Sequence, residues 1–181
     1  MSTRTRNLLI MLLFVAASSA LAPPAAAQDA PVERSIELFN THTHETVKVV
    51  YKRGGAFVPE ALARLNHVLI DHRSGEVHEM DPNLFDQLFD LAAAAGVEPS
   101  YEIISGYRSP ESNAKLASVP GSGVSKRSMH MQGRATDVRL KGITVEKLRD
   151  LALAAKRGGV GYYQRSQFVH IDTGSFRTWI G

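Results

Sequence analysis

The ten residues Ser128 to Asp137, S-M-H-M-Q-G-R-A-T-D, hold a histidine and an aspartate seven positions apart with Gly133 between them. Thirty-three residues after Asp137 comes His170, within F-V-H-I-D, Phe168 to Asp172. Alternate side chains of a strand share a face. R-A-T-D-V-R-L therefore groups Asp137 with Ala135 and Arg139 and gives Val138 and Leu140 the other face, while F-V-H-I-D turns Val169 and Ile171 to a core and Phe168, His170 and Asp172 away from it. A turn at Gly133 can bring His130 back towards Asp137. Two imidazoles and a carboxylate suit zinc and leave a fourth position for water, whose pKa the ion lowers to ~7. On residue types and spacing alone, His130, Asp137 and His170 fit ordinary surface and core positions as well as a metal set, and the stronger H-E-x-x-H motif is absent.

Working outward, R-S-I-E-L-F-N-T and T-V-K-V-V-Y-K alternate apolar and polar residues on either side of T-H-T-H-E, which predicts a β-hairpin. Pro59 opens a helical pattern that runs to His72, with Leu62, Leu65, Val68 and Leu69 on one face. A second helix starts at Asp81-Pro82 and ends near Gly96. Y-E-I-I-S reads as a strand running into the turn G-Y-R-S-P-E, with a further helix from about Pro110. After the strand R-A-T-D-V-R-L come a helix from Thr144, a glycine break at Gly158-Gly159, and the last strand Q-F-V-H-I-D. Helices and strands interleave, but the strands are few and their links irregular. An α+β domain is expected rather than a doubly wound sheet.

The N-terminus has the three parts of a secretory signal: Arg4 and Arg6, an apolar run from Leu8 to Val15, and small residues at Ala25-Ala26-Ala27. The run falls short of the ~20 strongly apolar residues of a spanning helix. Residues 1–27 are read as a cleaved signal and 28–181 as a single domain without a membrane span, with a retained N-terminal anchor as the alternative. Removing Arg4 and Arg6 takes the formal charge from +3 to +1, so charge gives no case for a nucleic-acid partner. There is no cysteine, which rules out disulfides and a lipoprotein anchor. The expected compartment is the periplasm and the expected state a monomer.

The block S-M-H-M-Q-G-R-A-T-D matches the S-x-H-x-x-G-x-A-x-D motif of zinc peptidases with the D-Ala-D-Ala carboxypeptidase and Hedgehog fold, peptidase family M15. With I-S-G-Y-R-S before it and G-G-V-G-Y-Y and S-Q-F-V-H-I-D-T-G after it, the chain resembles the murein endopeptidase K branch from about Ile36 to Trp179. The resemblance implies a small, mainly antiparallel sheet with flanking helices and one Zn2+ held by His130, Asp137 and His170. It also implies a periplasmic metallo-endopeptidase that cuts cross-links between diaminopimelate-containing stem peptides of peptidoglycan. A D,D- or L,D-carboxypeptidase of the same fold and a zinc-containing binding module without turnover are the alternatives.

Arg108 falls where this fold carries a substrate-binding arginine, whose planar fork suits a carboxylate or carbonyl; pairing with Glu111 is the plainer role. Ser128 holds the loop or binds substrate. Many relatives place an acid or histidine two or three residues before the last histidine, but here those positions are Gln167 and Phe168. Asp172, on the face of His170, is therefore assigned as catalytic, either as the base or as the acceptor of a ligand histidine's other ring N–H. Tyr162 and Tyr163 either line the cleft, where a phenol can polarise a tetrahedral intermediate, or belong to the core; Tyr163 is taken as substrate-binding. His42 and His44 form an H-x-H pair in an exposed turn and are expected to be solvated. His67, His72 and His78 are expected to be surface or core residues.

Overall fold

Alternation in the first two strands sets the frame. In β1 (Glu33–Asn40) and β2 (Thr46–Arg53), Ile36, Leu38, Val47, Val49 and Tyr51 are buried, and the strands pair antiparallel across the T-H-T-H-E turn. The computed structural model describes residues 32–181; the expected signal segment and its cleavage point lie outside the described residues.

The helices start where capping chemistry allows. Proline at the first turn opens α1 (Pro59–Val68), α2 (Pro82–Ala95) and α3 (Pro110–Ala117), where its missing N–H costs nothing. The side chains of Asp81, Ser109 and Thr144 accept from backbone N–H groups at the starts of α2, α3 and α4 (Val145–Ala155).

With β3 (Ala56–Phe57), β4 (Ser100–Ser105), β5 (Ala135–Leu140), β6 (Gly159–Tyr163), β7 (Phe168–Asp172) and β8 (Arg177–Ile180), the hairpin forms one eight-stranded sheet in the order β3-β2-β1-β4-β5-β7-β6-β8. Neighbours run antiparallel except β1 with β4 and β6 with β8. Helices α1, α2 and α4 pack against the sheet, whose Leu38, Tyr101, Val138, Val169 and Ile171 are fully buried. Each such side chain contributes on the order of 1.5–3 kcal/mol by leaving water. The Tyr101 hydroxyl donates to the Leu88 carbonyl at 2.7 Å, tying α2 to the centre of the sheet.

The mixed α+β organisation with one sheet and flanking helices agrees with the sequence reading, but the sheet is larger than expected. Three strands were missed, and β6 is the instructive one because its two glycines read as a break. A Cβ on Gly161 would lie 2.5 Å from the Trp179 ring, and one on Gly159 would lie 2.4 Å from Oδ2 of Asp172. These glycines make room for side chains of neighbouring strands. Helix α1 also stops at Val68, short of His72, because the chain turns there into a loop organised by Asp71. Among the described residues no helix is long and apolar enough to cross a membrane.

Candidate metal centre and cleft

The register of the sheet brings two of the three singled-out residues together. Asp137 on β5 and His170 on β7 are directly opposed, on the face away from Val138 and Val169. His130 arrives from the short 3-10 turn Met129–Gln132, whose start is capped by the Ser128 hydroxyl accepting from the His130 N–H at 3.3 Å. Gly133 ends that turn at φ 65, and a Cβ there would lie 2.2 Å from the Glu79 carbonyl. Only glycine meets both requirements.

The three side chains form a tight triangle. His130 Nε2 lies 3.1 Å from His170 Nδ1 and 3.2 Å from Asp137 Oδ1, and His170 Nδ1 lies 2.9 Å from the same oxygen. The outer nitrogens define the tautomers. His130 Nδ1 faces the Gly106 carbonyl at 2.7 Å, and His170 Nε2 faces Asp172 Oδ2 at 2.9 Å. With both outer nitrogens donating, the inner ones present lone pairs towards each other and towards a carboxylate oxygen. Three electron-rich atoms in contact and almost fully buried are stable only with a positive charge among them. Ligands at zinc distances in tetrahedral array sit about 3.3 Å apart, close to the spacings here. The residues fit a bound divalent cation.

Electrostatics point the same way. Burial works to raise the Asp137 pKa, but the charges and hydrogen bonds of His130 and His170 outweigh it and hold the carboxyl far below its usual range. Burial lowers the His130 pKa, favouring the neutral imidazole a metal needs. At His170 burial also lowers, but hydrogen bonds to the Asp137 and Asp172 carboxylates prevail and the pKa rises, the mark of a site that favours a positive charge.

The triangle lies in a cleft of about 800 Å³. Arg108 forms part of its wall, with Nη1 3.3 Å from Asn113 Oδ1, Nη2 3.4 Å from Ser105 Oγ, and Nη2 3.7 Å from Asp137 Oδ2. It does not pair with Glu111, which binds Lys115 instead. Its Nε is buried without a partner among the described residues. Burial lowers the Arg108 pKa, while Asp137 acts to raise it. Ser105, absent from the expected site, is delivered by a bulge in β4: Ile103 opposes Val138, yet Ser105 opposes Asp137. The extra residue turns its hydroxyl to the site, and alternation alone gives no sign of it.

Tyr163 and Trp179 line the cleft beside His170, and the indole N–H donates to the Tyr163 hydroxyl at 3.0 Å. The Trp179 ring lies 5.0 Å from that of His170. Tyr162 is turned to Glu146 at the start of α4 and takes no part in the cleft. Ser128 lines the cleft, but its observed bond is the cap on the His130 turn.

For Asp172 the geometry separates the two roles considered. Its carboxylate is fully buried and accepts from His170 Nε2, from Arg177 at 2.6 and 3.1 Å, and from the backbone N–H groups of Gly159 and Gly174. Burial raises its pKa, but these bonds outweigh burial and keep it ionised. It lies behind His170 and does not line the cleft. The carboxylate thus sits where it accepts the His170 ring N–H and not on the cleft wall. Gln167 and Phe168 supply no carboxylate either; Phe168 stacks on Tyr163 at 4.5 Å. The remaining histidines stay out of the triangle: His78 stacks on Tyr107 at 4.5 Å, and His67 lies 3.8 Å from Glu45. His42 is not simply solvated, because its ring stacks on His72 at 3.7 Å and lines one end of the cleft.

A buried His-Asp-His triangle beside an arginine, on two strands and a turn of an α+β domain, is an arrangement that fits a divalent cation. The chain belongs to the M15 peptidase family described as peptidoglycan L,D-endopeptidase MepK, whose model matches residues 28–179. It is 42% identical over 176 residues to the peptidoglycan L,D-endopeptidase MepK of Escherichia coli strain K12, covering 96% of each chain. The probable peptidoglycan L,D-endopeptidase MepK of Haemophilus influenzae is 37% identical over 152 residues, covering 83% of this chain and 81% of that one. No solved structure matches the fold.

Proposed function

We propose that this protein is an exported, periplasmic zinc endopeptidase that hydrolyses L,D cross-links between peptidoglycan stem peptides. The observation that carries the reading is the triangle of lone-pair donors from His130, Asp137 and His170, which lines a cleft of about 800 Å³. Family membership makes the chain a peptidase and sets aside the binding module without turnover. The names of the relatives support peptidoglycan as substrate and the L,D bond as the one cut. The D-Ala-D-Ala carboxypeptidase and Hedgehog fold is the architecture proposed for the domain.

Zinc held by the three residues would acidify a coordinated water to a pKa of ~7 and polarise the scissile carbonyl. The chain's own groups prepare that chemistry. Asp172 and the Gly106 carbonyl fix the two imidazole tautomers, so that Nδ1 of His170 and Nε2 of His130 stay unprotonated towards the ion. Arg108, held by Asn113 and Ser105, offers its terminal fork to a substrate carbonyl or carboxylate. The Tyr163 hydroxyl accepts from Trp179, which leaves its own proton to donate to an oxygen that gains negative charge. Ser128 serves by holding the His130 turn.

The test is digestion of purified sacculi by residues 28–181 with one equivalent of zinc, followed by mass analysis of the muropeptides. Conversion of cross-linked dimers to monomers is expected. Loss of a single terminal residue from monomers would assign a carboxypeptidase instead, and intact dimers after full zinc loading would reject the proposal.

A further inference from the structure

Beyond the triangle and Arg108, the cleft is also lined by Arg73, His42 and Ile104. Its charges are lopsided. Arg73, Arg108, Arg127 and Arg177 line it, but Asp137 is its only carboxylate among the described residues, and that carboxylate faces the two imidazoles. Arg177 is neutralised by Asp172 at 2.6 Å. The Arg73 guanidinium has no hydrogen bond or ion pair with any described residue.

The backbone under Arg73 is firmly fixed. Asp71, fully buried, accepts from the Arg73 N–H at 3.1 Å, from the Ser74 hydroxyl at 3.1 Å, and from the Ser109 N–H at 2.9 Å. The loop is closed by Asp71 N–H to the Glu76 carbonyl at 3.0 Å and Gly75 N–H to the Asp71 carbonyl at 2.8 Å. The Tyr107 N–H donates to the Leu69 carbonyl at 2.8 Å, so residues 69 to 76 are tied on both sides of Arg108 to the turn that carries it. A buried carboxylate thus couples the position of Arg73 to that of Arg108. Beyond Arg73 the ring of His42, held by the Ile104 carbonyl at 3.1 Å, stacks on His72. Burial, reinforced by the Arg73 charge, depresses the His72 pKa to about 4, so the His72 ring adds no positive charge there at ordinary pH.

We propose that Arg73 forms a second anion subsite of the cleft, which takes a free carboxylate of the substrate peptide at a distance from the scissile amide. The proposal rests on the peptidase reading and adds to it a requirement on the substrate: the chain cut here carries an ionised carboxylate on the side remote from the metal centre. An arginine without a protein partner, set in a positive cleft, binds a carboxylate through two parallel N–H donors and draws anionic peptide towards the site.

The test pairs two synthetic cross-linked stem peptides, one with free carboxylates and one with those carboxylates amidated, against the zinc-loaded protein and R73Q. Wild type is expected to prefer the free acid in kcat/KM, and R73Q to reduce that preference about 10- to 100-fold through KM, the size of a charge-assisted hydrogen bond. R73K should recover part of the loss. An unchanged ratio of free acid to amide in R73Q would overturn the subsite. Calorimetric binding of the free-acid peptide without metal gives a second reading: weaker binding to R73Q supports the subsite even if neither peptide is cut, a result that would count against the peptidase reading alone. Equal binding by R73Q and wild type would reject the subsite. Exposed Arg73 leaves the core untouched, and thermal melting checks that R73Q is folded.

Discussion

Trp179 donates its indole N–H to the Tyr163 hydroxyl at 3.0 Å while its ring packs beside the imidazole of His170. The indole thereby determines where the phenol proton can point. W179F keeps most of the ring and loses the donor. It is expected to lower kcat about 3- to 10-fold with little change in KM or zinc content, as expected for a bond made stronger in the transition state. The double variant Y163F/W179F should be no slower than Y163F alone; additive losses would show that Trp179 acts apart from Tyr163.

Removing a corner of the triangle should remove the metal. H130A, D137A and H170A are each expected to lose zinc on dialysis and to abolish muropeptide release. Chelation of the wild type should lower its melting temperature, because the ion binds the folded state. Retained zinc and turnover in H130A would refute the ligand assignment.

D172N distinguishes the two roles of that residue. An acceptor that orients His170 predicts zinc affinity about 10- to 100-fold weaker by chelator competition, with activity partly restored by excess zinc. A proton-transfer role predicts full zinc occupancy and no activity.

Acid should unfold the domain through its buried carboxylates. At Asp71 and Asp86 burial raises the pKa, but hydrogen bonds prevail, from Ser112 and Ser109 to Asp71 and from Lys52 and Tyr51 to Asp86, and both values fall. A carboxyl with a depressed folded-state pKa contributes its full stability above the unfolded value of about 4 and loses it as pH falls towards the folded value. Urea midpoints should therefore fall as pH drops below about 6.5, where unfolded but not folded His72 takes up a proton, and fall further below about pH 4 as these carboxyls are protonated. D71N should flatten that decline and cost about 1–3 kcal/mol at neutral pH.

G161A tests the space under Trp179. A methyl group there would lie 2.5 Å from the indole, so the ring must move. A loss of about 1–3 kcal/mol in stability is expected from chemical denaturation, together with a fall in kcat similar to that of W179F.

Strand periodicity made the faces legible, since Asp137 and His170 lie opposite their apolar neighbours as alternation requires, while the set of three came from the family resemblance. Periodicity cannot say on which side of His170 a same-face neighbour lies, so the burial of Asp172 among Gly159, Gly174 and Arg177 is seen only in the structure. Strand β6 was hidden because glycine carries no hydropathy signal, and its glycines are explained only by residues of other strands, Trp179 and Asp172. Ser105 was hidden by the bulge, which breaks the period that would reveal it. The loop of Asp71 looked helical because its apolar spacing continues α1, while the bonds that end the helix reach to Ser109, 38 residues away.

The opposed register of β5 and β7 also bears on when the chain can act. His130 and His170 are 40 positions apart, and Asp137 meets His170 only after the backbone ladder between their strands has zipped. An unfolded polypeptide therefore possesses every reactive group yet no reactive centre, and the centre exists only once these two strands have paired.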